Sequence, residues 1–259
     1  MMNKKNLVLK SVLVMVLLMT AFLCPAQEEL PDFPTERPGN TWGAEVLPLN
    51  KVSWENGFAY ESTPDGLHTT TLNSTIVRYG IFENVELRLG TEFLMYQEEL
   101  GTRPVFGVNP LTIGTKIKLH EGSGWVPSVG ILAQLQSPHI GSPELLPSHL
   151  TPAMYLLFEN DINDQLWLYY DAGLEWDGET ATPTTFLSLC LGYSFIDDLG
   201  AFVETTNYLH PENGNQYLLG FGLYWMVSGR LQFDFGCNLD LNVFGKYYYL
   251  SGGVSWMIN

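Results

Sequence analysis

Twelve stretches of this chain change polarity at almost every residue, and that period of two fixes what they can build. In Leu231–Val243, for example, Leu231, Phe233, Phe235, Cys237, Leu239, Leu241 and Val243 share one parity. Gln232, Asp234, Gly236, Asn238, Asp240 and Asn242 share the other. Successive side chains of a strand point to opposite faces, so each stretch has an oily face and a wet one. Thirteen residues is long beside the usual soluble strand of about 5–6 residues, and it suits a tilted strand crossing a bilayer, which needs ~9–11 residues.

The alternation places strands at Val52–Glu61, Thr69–Tyr79, Val85–Met95, Leu111–His120, Val126–Gln136 and Leu150–Phe158. It continues at Gln165–Trp176, Thr184–Phe195, Gly200–Tyr208, Gln216–Met226, Arg230–Val243 and Tyr247–Ile258. The connections alternate as well. Gly80–Asn84, Glu121–Gly124, Glu159–Asp164, Ile196–Leu199 and Val227–Gly229 are tight and rich in turn-forming residues. Longer links such as Tyr96–Pro110, Ser137–His149 and Leu209–Asn215 lie between them. Outer-membrane barrels have short periplasmic turns and longer outer loops, and with twelve strands and a periplasmic N-terminus every short turn falls on the periplasmic side. A soluble β-sandwich also alternates. Here, however, the strands are long, the oily face carries repeated aromatics, and the wet face is rich in Gly and small polar residues. The expected fold is therefore all-β, a single 12-stranded antiparallel up-and-down transmembrane β-barrel over residues 51–259.

The two ends agree with that expectation. Lys4, Lys5 and Lys10 precede an apolar run from Val12 to Leu23, and Cys24-Pro25-Ala26 ends in a small residue. Residues 1–26 read as a secretory signal peptide cleaved near Ala26, with localisation to the bacterial outer membrane. Its removal leaves nine basic and 28 acidic side chains, a net charge of −19, which argues against nucleic acid as a partner. Cys190 and Cys237, the two remaining cysteines, take opposite parities and do not suggest a disulfide. Residues 27–50, rich in Pro and Gly, are too irregular for a strand. They form a periplasmic N-terminal segment, either a small plug in the barrel mouth or a tail along its rim. The last strand, Ser251 to Ile258, resembles in its polar, glycine and aromatic spacing the terminal signature of outer-membrane barrel proteins, although Asn259 follows it, and the resemblance implies the barrel-assembly machinery as a partner that reads it by strand pairing.

Several landmarks resemble the family of outer-membrane transporters named for the MetA pathway of phenol degradation. They are Thr35-Glu36-Arg37-Pro38, Val52-Ser53-Trp54-Glu55-Asn56-Gly57-Phe58, and Arg78-Tyr79-Gly80-Ile81 followed by Val85-Glu86-Leu87-Arg88-Leu89-Gly90. Leu111-Thr112-Ile113-Gly114-Thr115-Lys116, Gly200-Ala201-Phe202-Val203-Glu204 and Gly253-Val254-Ser255 continue the similarity. The resemblance implies a barrel that carries small molecules, with no particular substrate.

Charges on the inward parity are the candidates for lining a lumen: Glu55, Glu86, Arg88, Glu92, Lys116, Lys118, Asp171, Glu175, Glu204, Asp234 and Asp240. Arg78, just before a turn, is within reach of Glu86 or Glu204. Buried charge must pair or face water, so these side chains either line a selective conduit or form a salt-bridged filling that stiffens a narrow barrel. The expected partners are outer-membrane lipid and an unknown small solute, with the tryptophans and tyrosines in interfacial girdles and Trp167 in the lumen. His68, His120, His139, His149 and His210 lie in or beside loops without metal-ligand spacing, and no cofactor or catalytic residue is expected. The expected function is a channel or transporter. A non-transporting structural or partner-binding barrel is the alternative, and an outer-membrane hydrolase is third.

Overall fold

The computed structural model describes residues 33–98, 102–211 and 214–258, so the signal-peptide expectation and Asn259 lie outside the described residues. The strands are β1 (Val52–Ser62), β2 (His68–Phe82), β3 (Val85–Gln97), β4 (Val105–Val108), β5 (Thr112–His120), β6 (Ser128–Gln136) and β7 (Thr151–Asp161). They continue as β8 (Leu166–Glu175), β9 (Thr184–Ile196), β10 (Leu199–Leu209), β11 (Gln216–Ser228), β12 (Leu231–Asp240) and β13 (Tyr248–Ile258). Each pairs antiparallel with its chain neighbours, except that β4 and β5 both pair with β3 and not with each other. The ring closes where β1 lies along β13, from Val52 opposite Ile258 to Ser62 opposite Tyr248. The result is a closed 12-stranded up-and-down barrel with one short extra strand piece.

That extra piece corrects the expected loop at Tyr96–Pro110. β4 pairs with the outer half of β3 (Phe93 opposite Val108), and β5 with its inner half (Gly90 opposite Thr112). The two are one barrel strand interrupted at Asn109–Leu111, where Pro110 supplies no N–H to the ladder. Other boundaries shift for similar local reasons. β6 begins at Ser128, after Pro127, while Val126 joins a turn through its bridge to Ser123. β12 stops at Asp240 rather than Val243, because Asp240 turns its carboxylate onto the Asn242 N–H at 2.8 Å. β7 runs through Glu159 to Asp161, so the tight turn there is shorter than expected and Glu159 belongs to the wall.

The barrel is apolar outside and polar inside. Leu87, Leu89, Ile113, Leu189, Leu191, Phe221, Leu223, Phe233 and Phe235 are exposed on the outer face. Glu55, Arg78, Glu86, Lys116, Asp171, Glu204 and Asp234 are buried on the inner face. The two cysteines among the described residues, Cys190 and Cys237, are free. Cys190 is buried and Cys237 is not, as their opposite parities require. Short connections gather at one end of the barrel, where β1 begins and β13 finishes, and the longer ones at the other. Some inner-face glycines are there for clearance. A Cβ on Gly192 would collide with the Trp167 ring, which therefore lies flat against the wall.

Candidate functional site

The inner face is divided by charge. β2, β3 and β5 carry Arg78, Arg88 and Lys116, each almost fully buried. Arg78 binds Glu86 through Nη2 at 2.8 Å and Nε at 2.9 Å, and Glu55 through Nη1 at 2.7 Å. Further round the ring, Glu159 on β7, Asp171 on β8, Glu204 on β10 and Asp234 on β12 face inward. A wall of buried carboxylates is unstable unless each one finds donors.

The donors come from the residues before β1. Phe33 to Asn50 form a loop inside the ring, with both feet at the short-turn end. Phe33 packs with Leu47, Met257 and Met226 there. At the other foot the chain passes Gly80, where any side chain would collide with the Leu47 and Pro48 carbonyl oxygens. Along the first limb, Arg37 binds Asp234 through Nε at 3.2 Å and Nη2 at 3.1 Å. The backbone N–H groups of Asn40 and Thr41 then donate to Glu204 at 3.0 and 3.1 Å. At the apex the Trp42 N–H donates to Asp171 at 2.8 Å. Its ring packs on Tyr155 and Phe186 with centroids 4.7 and 5.6 Å away. On the returning limb the Ala44 N–H donates to Glu159 at 2.7 Å and the Leu47 N–H to Glu86 at 2.9 Å. The wall thus grips the loop mainly by its main chain.

One loop side chain reaches into the cationic sector. Glu36 meets Lys116 Nζ at 2.5 Å, Arg88 Nη2 at 2.8 Å and Arg78 Nη2 at 3.3 Å. Burial pushes the Glu36 carboxyl up, but Arg88, Lys116 and Arg78 together hold it well below the usual carboxylate range. Lys116 Nζ also donates to the Gly43 and Glu45 carbonyl oxygens at 2.9 and 3.0 Å. Three cations thereby face Glu36, Glu55 and Glu86, a locally neutral cluster.

The sequence-derived candidates fall into two groups. Glu55, Arg78, Glu86, Arg88, Lys116, Asp171, Glu204 and Asp234 converge on the loop. Arg78 binds Glu86 rather than Glu204, whose carboxylate is taken by Asn40 and Thr41. The other four lie toward the ends of the wall, and of these Lys118 also reaches the loop. Lys118 pairs with Glu45 at 2.9 Å, Glu92 accepts from Asn109, Glu175 accepts from Tyr155, and Asp240 caps its own turn. Sequence reasoning missed Glu36, Arg37, Glu45 and Glu159. The first three sat in a segment with no strand period, although Glu36-Arg37 inside a Pro-rich stretch was a usable signal. Glu159 was assigned to a turn because Asn160-Asp161 follows it.

Two of the spaces inside the ring lie close to these residues. One, about 220 Å³, lies against Trp167, Tyr169, Phe202 and Tyr224. The Trp167 ring stacks at a tilt on Tyr169 at 4.5 Å. The other, about 290 Å³, lies on the outer side of Arg88 among β2, β3, β5 and β6. Among the described residues no group of His, Cys, Asp and Glu is arranged to hold a metal ion.

The model of the family described as "Putative MetA-pathway of phenol degradation" matches residues 35–258. No curated protein matches the chain. Among solved structures, an outer membrane channel from Pseudomonas putida F1 superposes with a TM-score of 0.64 at 13% identity, covering 86% of this chain and 100% of that one. The KdgM porin in complex with disordered oligogalacturonate gives 0.56 at 13% identity, covering 79% and 99%. The NanC porin gives 0.54 at 12% identity, covering 78% and 98%. At such identities the likeness is one of fold.

Proposed function

We propose, from the premise that this chain belongs to the family of the MetA pathway of phenol degradation, that it is an outer-membrane channel for a small solute, held shut by the loop of residues 33–50. The three solved structures compared above, which share its fold, are a channel and two porins. One observation carries the reading. Inward carboxylates on β3, β7, β8 and β10 are satisfied by main-chain N–H groups of a single segment that is not itself part of the wall. A barrel built only for rigidity would pair its charges from wall to wall, as lumen-filled barrels do. Here the filling is a separate, removable piece.

In this reading lipid covers the exposed Leu and Phe band, with aromatic residues such as Trp125, Trp225 and Trp256 toward the short-turn interface. The short-turn end is periplasmic, and Ser251–Ile258 is presented to the assembly machinery before β13 closes on β1. With the loop withdrawn, Glu55, Glu86, Glu159, Asp171, Glu204 and Asp234 outnumber Arg78, Arg88 and Lys116. The open conduit therefore favours cations.

The test is single-channel recording in planar bilayers of the intact protein and of a variant lacking residues 33–47. The deletion should produce large, cation-selective steps that the intact protein shows rarely. A deletion variant that is folded yet electrically silent would refute the channel and favour a purely structural barrel. Reversing Lys116 to Glu in the deletion background should raise cation selectivity further. Unchanged selectivity would remove that residue from the path.

A further inference from the structure

The apolar outer face of the barrel is interrupted on β1 and β2. Asn56, the fifth of the eleven residues of β1, stands opposite Thr75 on β2, with Asn73 beside them, and all three point away from the lumen. Trp54 and Val77 bound this polar island toward the short-turn end, and Phe58, Leu72 and Phe93 toward the other, all of them exposed. A bulge creates it. Between Thr71 and Asn73, β2 carries one residue more than either neighbouring strand, so Leu72 and Asn73 both face outward. The Phe58 ring, 64% exposed, leaves the island open because it lies on the other side, over Gly252 of β13.

Within the island Asn56 Nδ2 donates to Thr75 Oγ1 at 2.6 Å and to Asn73 Oδ1 at 3.1 Å, and Asn73 Nδ2 returns one bond to Asn56 Oδ1 at 3.4 Å. A primary amide has two N–H donors and an oxygen with two lone pairs. One Asn73 N–H and one Asn56 lone pair are therefore left over, and Asn73 is exposed. Other hydroxyls on this face are satisfied by the wall itself. Thr91 donates to the Asn109 carbonyl oxygen at 2.9 Å and Thr115 to that of Glu86 at 3.0 Å. Hydrocarbon supplies no partner for a leftover amide, whereas a protein contact inside the bilayer does.

We propose that this face is a contact between two copies of the chain in the membrane, related by a two-fold axis beside Asn73. The occupant is a second copy because the leftover groups are self-complementary. The Asn73 N–H of one copy meets the partner's Asn56 oxygen, and the two-fold axis repeats the bond. Trp54, Phe58, Leu72 and Phe93 pack around the amides and exclude lipid. A lipid chain offers no acceptor, and the island holds no ionised group that would call for a charged partner. The inference rests on the outer-membrane reading but not on conduction.

The experiment is subunit counting by photobleaching of the full-length protein, one dye per chain, in phosphatidylcholine vesicles at graded dilution. The share of two-step traces should rise with protein density, with no third step. The Asn56→Leu/Asn73→Leu double variant should weaken pairing about tenfold or more without lowering resistance to urea, since each monomer loses only polar groups that face lipid. A pair of merely structural amides would instead lose stability and leave the counts unchanged. Should the double variant fail to fold, Leu72→Cys in a Cys237→Ala background decides the matter. It should form a disulfide with its own copy under mild oxidation, while Leu189→Cys on β9, across the barrel, should not. Single steps at every density, counts beyond two, unchanged pairing in the double variant, or no Leu72→Cys cross-link would overturn the proposal. A protein that stays out of the vesicles would refute the membrane reading and this contact with it. Pairs that never conduct would count against the channel and leave the contact standing.

Discussion

Replacing Glu36 by Gln removes the one loop charge that meets three wall cations. In the intact cluster Arg78, Arg88 and Lys116 face Glu36, Glu55 and Glu86, and every ion is buried. The substitution keeps the shape and leaves one buried positive charge uncompensated. Breaking a buried ion pair on one side costs about 3–5 kcal/mol, and here the loss falls on the seated loop, because a withdrawn loop lets water reach the cations. At about 1.4 kcal/mol per tenfold, the seated-to-withdrawn ratio should fall between roughly 100-fold and 4,000-fold. Planar-bilayer recording reads that ratio as the fraction of time spent conducting, with the variant lacking residues 33–47 as the open reference. A folded Glu36→Gln protein that conducts no more often than the parent would refute the reasoning, since the main-chain bonds alone would then hold the loop.

Three further outcomes follow from the same geometry. Glu204→Ala strands the buried N–H groups of Asn40 and Thr41, at about 1–3 kcal/mol for each. Hydrogen–deuterium exchange there should quicken at least tenfold while β10 stays protected. Phe235→Arg puts a charge on the outer face halfway along β12 and should destabilise the barrel by about 2–4 kcal/mol, read from unfolding in urea with lipid vesicles. For pH, the Glu36 carboxyl is held below its ordinary value of 4.5. Its contribution to seating is therefore complete above about pH 4.5 and is lost as the pH falls toward the lowered value. Conductance should stay low from pH 7 to 5 and rise only under stronger acid. A rise already at pH 6 would point to a different group.

Strands were legible because period-two alternation records which face meets an apolar medium. The sides of the turns were legible because short and long links alternate. Parity assigns a face but no depth and no partner, so it brought Arg78 and Glu86 together while leaving Glu204 among Arg78's options. The loop was harder for a physical reason. Glu204, Asp171 and Glu159 bind N–H groups that every residue but proline possesses, and such recognition leaves no side-chain pattern in residues 40–47. The break at Pro110 was hidden by the same residue that causes it, since a proline with short flanking segments reads as a loop.

The loop's two feet lie at one end of the barrel, and its second foot continues directly into β1. In the proposed channel, a withdrawn loop therefore remains leashed, through β1, to the mouth it left. A segment on so short a leash samples its own site at an effective concentration in the millimolar range. Reseating is then a first-order event, independent of how much protein the membrane contains. In the proposed channel, anything that keeps the conduit open has to compete with a blocker that never diffuses away.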